Sequence, residues 1–205
     1  MRSFIPVVPI FTVLLTSAFC VSQQVAPEKP APPAVISATH PAILVDNNFV
    51  QREFGPSCSL LGNAPMTGDL DGDGVEDIVM VAHCKSPFAD QAENNFSVID
   101  PYYTFYGYGD PKVNSAFSSE IPELRGIAIL IIHGSGADAW RSAKPKAKFL
   151  VINMPVKQIA LKKMMLKKKA VTAIYTEEAG VDDMTSALFW DGKKYKYMPF
   201  GSSME

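Results

Sequence analysis

Residues 69–84 read DLDGDGVEDIVMVAHC, five carboxylates in nine positions followed directly by an unbroken apolar run. Ile78 to Ala82 carry apolar side chains at every position, which suits a strand buried on both faces. A second run of this kind occupies 127–132, inside GIAILIIHG (126–134). Working outward, AKFLVINM (147–154), QIALKKMML (158–166), AVTAIYTEE (170–178), TSALFW (185–190) and KKYKYMPF (193–200) are short apolar segments set between Gly, Pro, Asp and Asn breaks. The last two are joined at Asp191-Gly192, residues that favour a tight hairpin turn. Helical periodicity is weak and confined to 88–95 and 137–143. The expected fold is therefore mainly β with minor helix. It is a compact β-sheet domain of seven or more strands, either a sandwich or a unit like a propeller blade.

The acidic loop supplies the chemistry. Counted from Asp69, carboxylates fall at positions 1, 3, 5 and 9, with glycines at 4 and 6. Calcium takes six to eight hard oxygen ligands, and alternating Asp in a tight loop turns several carboxylates inward, while a backbone carbonyl at position 7 adds one more. Gly72 and Gly74 allow the curl. Glu76 is expected to point away. Without a cation the carboxylates repel one another, so a cation-free loop is expected to be partly disordered. An EF-hand is excluded, because position 12 is Met80 instead of Glu and a strand, not a helix, follows.

The stretch TGDLDGDGVEDIVMVA resembles the FG-GAP/VCBS type of calcium-loop repeat. The resemblance implies calcium as cofactor, with Asp69, Asp71, Asp73, Asp77 and the carbonyl of Val75 as ligands. It covers about twenty residues in one copy (about 67–82). The segments 107–114 and 179–192 are only weak echoes without alternating Asp. One loop in one domain does not close a propeller.

The chain begins MRSFIPVVPIFTVLLTSAFCVSQQ, with a basic start, a short apolar run and small residues. This is expected to be a secretory signal peptide over 1–22, its apolar run too short to span a bilayer. Phe19 disfavours lipidation at Cys20, since that processing needs a small residue there. A Pro-rich linker follows over 23–41, and a single mainly β domain occupies 42–205. Localisation is expected to be extracytoplasmic, periplasmic or secreted. Beyond the signal the cysteines are Cys58 and Cys84, which in an exported chain most simply form one disulfide around the acidic loop. A zinc site of Cys58, His83 and Cys84 is disfavoured, because adjacent strand residues point to opposite faces.

Other features carry weaker signals. His133-Gly-Ser-Gly after an apolar strand resembles the oxyanion loop of α/β-hydrolases, yet no Gly-x-Ser-x-Gly elbow or later histidine follows it. Lys162, Lys163, Lys167, Lys168 and Lys169 form a candidate ligand patch for an anionic glycan, phospholipid head groups or a partner protein. The preferred reading is an edge strand guarded by lysines. Tyr102 to Tyr108 concentrate aromatics in a segment expected to be a loop tucked over the core. A net charge of −2 gives no reason to expect nucleic acid as a partner. The combined expectation is an exported, calcium-binding, non-catalytic β domain in recognition or adhesion, its partner a cell-surface protein or glycan. A hydrolase using the HGSG loop and a module binding anionic glycans are the alternatives.

Overall fold

A computed structural model describes residues 43–106, 121–179 and 184–202. The expected signal peptide, Cys20, the Pro-rich linker and the Gly-Asp-Pro end of the aromatic stretch lie outside these residues.

The elements in chain order are α1 (Asn47–Phe54), β1 (Cys58–Leu60), β2 (Met66–Gly68), β3 (Asp77–Cys84), α2 (Pro87–Asn94), β4 (Ser97–Ile99), α3 (Pro101–Tyr106), β5 (Ile127–His133), β6 (Ala147–Val151), β7 (Val156–Leu166), β8 (Lys169–Glu178), β9 (Met184–Trp190) and β10 (Tyr195–Ser202). The fold is mainly β, as the alternation and the turn residues imply. A six-stranded sheet runs β1-β3-β5-β6-β4, with β2 pairing the same edge of β3 as β1 but further along it. Its pairs are antiparallel except β4 with β6. The second sheet is a four-stranded antiparallel meander, β10-β9-β8-β7.

The two uninterrupted apolar runs are the central strands β3 and β5, and both of their faces are used. Val79, Val81, Ile129, Ile131 and Val151 pack with Ile159, Ile174, Leu188 and Tyr197 of the meander. Ile78, Met80, Leu130, Ile132 and Leu150 face the other way, onto Phe49, Val50 and Phe54 of α1 and onto Phe96. Period-two alternation thus sends each central strand into two cores at once, giving a helix layer, a central sheet and an outer sheet. Asp46 starts α1 by accepting a hydrogen bond from Phe49 N–H at 2.8 Å, and Gly55 ends it at φ 93°.

Several local expectations are revised. The aromatic stretch begins as the helix α3, not a loop. Tyr102 and Phe105 set their rings 4.9 and 5.4 Å from Tyr197. The Tyr102, Ser186 and Tyr197 hydroxyls all donate to the buried carboxylate of Glu178, so polar partners as well as apolar burial pin α3. The β9–β10 connection is longer than a two-residue turn, because Trp190 pairs with Tyr195. Asp191 Oδ1 accepts from Lys193 and Lys194 N–H at 2.9 Å each, so its side chain organises the loop and only Gly192 takes positive φ, 99°. The strands β1, β2 and β4 carry too few residues for a periodic signal, and the helix α1 is an addition to the expected elements.

Candidate metal centre

The loop between β2 and β3 is wound around its own carboxylates. Asp69 Oδ1 accepts from Gly72 N–H at 2.7 Å and Oδ2 from Gly74 N–H at 3.1 Å. Asp71 accepts from Asp73 N–H at 3.2 Å, and Asp73 from Val75 N–H at 2.8 Å. Gly72 and Gly74 take φ of 79° and 85°, the left-handed region in which glycine avoids the Cβ penalty. Oxygens of Asp69, Asp71 and Asp77 converge to within 4.8 Å of one another. Three hard-oxygen donors at that separation could hold a metal ion.

Asp77 is the anchor. It is 1% exposed, with Oδ2 accepting from Leu70 N–H and Oδ1 from Gly134 N–H, each at 2.8 Å. Strand register brings Gly134 there: Ile78 pairs with Ile132, so the last residue of β5 arrives beside the first of β3. A Cβ at Gly134 would lie 2.4 Å from Glu76 O, so the close approach requires glycine. Burial raises the Asp77 carboxyl to about 6, reinforced by the charges of Asp71 and Asp73 and opposed by its two N–H partners.

The remaining members come from elsewhere in the chain. Lys146, just before β6, places Nζ 2.6 Å from Asp71 Oδ2 and 2.7 Å from Asp73 Oδ2. The expected repulsion among carboxylates is therefore offset inside the chain by an ammonium group. That contact holds the Asp73 carboxyl below its usual range and the Lys146 ammonium above its own. Asp73 shares this ammonium with Asp71 and lies outside the convergent group of Asp69, Asp71 and Asp77. Val75 is half-buried and donates its N–H within the loop. His133 Nδ1 stands 3.4 Å from Asp71 Oδ2, while Nε2 meets the Tyr195 hydroxyl at 2.7 Å. Phe149 and Trp190 enclose the ring, and burial lowers its basicity. The N–H groups of Gly134 and Ser135 are engaged by Asp77 and Ala139 O, so the His-Gly-x-Gly turn caps the acidic loop.

Glu76 does point out of the loop, but it is not idle. Its Oε2 accepts from Trp140 Nε1 at 3.0 Å and Arg141 NH1 at 3.1 Å, fastening the 3-10 turn 136–141 to the loop. Burial works against the ionised form, but the bonds from Thr67, Arg141 and Trp140 together hold its carboxyl below the usual range. Glu76→Ala is expected to cost about 1 kcal/mol, the net worth of such bonds at a part-exposed site, read from urea unfolding.

Cys58 and Cys84 are in register between β1 and β3 and are joined by a disulfide. The pairing suggests an oxidising, extracytoplasmic setting and takes both thiols away from any zinc site. Among the described residues no helix is long and apolar enough to cross a membrane. Of the five lysines, Lys162 and Lys163 are divided by the pleat of the edge strand β7. Lys162 Nζ lies 5.2 Å from the Tyr175 ring centroid, whereas Lys163 donates to Thr172 Oγ1 at 2.8 Å. Lys167 and Lys168 form the β7–β8 turn and Lys169 begins β8; Lys167 and Lys169 lie beside the acidic loop, and all three are exposed.

Sequence reasoning missed His133 and Lys146 as neighbours of the loop. The only signal was the pair of apolar runs, whose register no local pattern specifies. No family model matches the chain, and no curated protein or solved structure does.

Proposed function

We propose that the chain is an exported, non-catalytic β domain whose loop Asp69–Asp77 binds one calcium ion as a structural element, in a protein of extracytoplasmic recognition or adhesion. The observation that carries this reading is the convergence of the Asp69, Asp71 and Asp77 oxygens to within 4.8 Å at the entrance to β3. The resemblance of the loop to FG-GAP-type calcium loops, the signal-like start and the disulfide support it. Engagement of the Gly134 and Ser135 N–H groups argues for a structural over a hydrolytic role.

Isothermal titration of chelator-stripped protein is expected to show one calcium per chain and markedly weaker magnesium, which resists the dehydration such a loop demands. Asp69→Ala or Asp71→Ala should abolish the binding heat. Absence of heat at millimolar calcium would overturn the reading. Lys146 competes for the oxygens of Asp71, so Lys146→Met is expected to tighten calcium about threefold, the scale of an exposed ion pair. The same titration reads it.

A further inference from the structure

We propose that the cleft between the acidic loop, the β7–β8 hairpin and the β9–β10 turn binds a saccharide bearing carboxylates. The cleft has a volume of about 490 Å³, within the range of small-molecule sites. Its charges are of both signs, but their states differ. Asp69 accepts from Gly72 and Gly74 N–H, Asp71 from Asp73 N–H and Lys146, and Asp191 from Lys193 and Lys194 N–H, so each carboxylate already has donors within the chain. Lys167 and Lys169, in contrast, have no hydrogen bond or ion pair with any described residue, and both line the cleft. Lys163 adds a third ammonium, held by Thr172. The ammonium groups of Lys167 and Lys169 are therefore the donors left open to an incoming anion.

The apolar part selects the rest of the ligand. Trp190 lines the cleft, its indole fixed from behind by Tyr195 at 5.2 Å and Phe149 at 5.4 Å. An indole lining the same cleft as ammonium groups suits a sugar ring, whose apolar face packs on an indole while its carboxylate meets the lysines. An aliphatic carboxylate or inorganic phosphate would meet the lysines alone. The inference uses the lysines and Trp190 and stands whether or not the loop carries a cation.

The test is isothermal titration of the full chain with trigalacturonate, its methyl ester, hexanoate and inorganic phosphate at the same ionic strength. Trigalacturonate is expected to bind at about millimolar or tighter, with the ester, hexanoate and phosphate about tenfold weaker or more. Lys167→Gln with Lys169→Gln, at exposed positions, is expected to weaken trigalacturonate about tenfold at unchanged thermal midpoint. In Trp140→Phe, Trp190 remains the sole indole, and its emission should still shift on binding. Equal binding of acid and ester, equal binding of hexanoate or phosphate, an unaffected double variant, a silent Trp190 or no heat at millimolar ligand would each overturn the proposal.

Discussion

Replacing Cys58 and Cys84 together by alanine lowers the unfolding free energy by about 3.5 kcal/mol and the thermal midpoint by about 10 °C. The bridge spans 26 residues, and closing a loop of that size removes entropy from the unfolded chain by this order. Alanine is the right replacement, because both sites are buried and a serine hydroxyl would need a partner. The loss has a location. β1 has three residues and is stapled to the end of β3, and α1 precedes it by only a few positions. Hydrogen exchange should therefore show α1 and β1 losing protection first, with β5 and β6 retained. An unchanged midpoint, or loss spread evenly over both sheets, would contradict the assigned role of the bridge.

The second large effect is that of calcium on stability. At a calcium concentration about a hundredfold above the dissociation constant, linkage gives about 2.7 kcal/mol of stabilisation over chelator. Its pH dependence carries more information than its size. The Asp77 carboxyl is raised to about 6 in the folded chain from an ordinary value of 3.8. A raised folded value means that the proton favours the folded state. In chelator, the contribution of Asp77 is complete below about pH 4 and is lost as the pH rises through about 6. Buried Glu178 is shifted in the same direction, by burial, and adds to that slope. Calcium requires ionised carboxylates, so its increment grows over the same interval. Thermal midpoints from pH 4 to 7, in calcium and in chelator, are expected to diverge as pH increases. Asp77→Asn should flatten part of the slope in chelator and leave the part due to Glu178. A calcium increment that does not vary with pH would remove Asp77 from the binding set.

How much of this was legible beforehand follows from the range of the interactions involved. β3 was readable to the residue, because the apolar run Ile78 to Ala82 is bounded by Asp77 on one side and by His83 and Cys84 on the other. The seven longer strands were recognisable for the same reason: burial imposes a local, repeating pattern on the side chains. β1, β2 and β4, of three residues each, hold their places by pairing and leave no such pattern. α3 read as a loop because Tyr and Phe have no strong helical preference, and the hydroxyl bond from Tyr102 to Glu178 spans 76 positions.

The candidate metal centre divides in the same way. Spacing of Asp69, Asp71, Asp73 and Asp77 marked an oxygen-rich loop, since ligands within one turn of chain must be adjacent in sequence. It did not show that Asp73 lies outside the convergent group, nor that Lys146, 73 residues away from it, bridges Asp73 to Asp71. Nor did it show that Gly134 holds Asp77 or that His133 faces Asp71. By itself, then, the sequence determined a mainly β chain, an acidic loop opening into a doubly buried strand, and two cysteines placed to enclose that loop. Only the tertiary structure decided which carboxylates converge, which two an ammonium bridges, and which lysines share a cleft with Trp190. The reason is that backbone pattern and ligand spacing are local, whereas strand register and charge pairing are set by contacts between segments that the chain brings together only on folding.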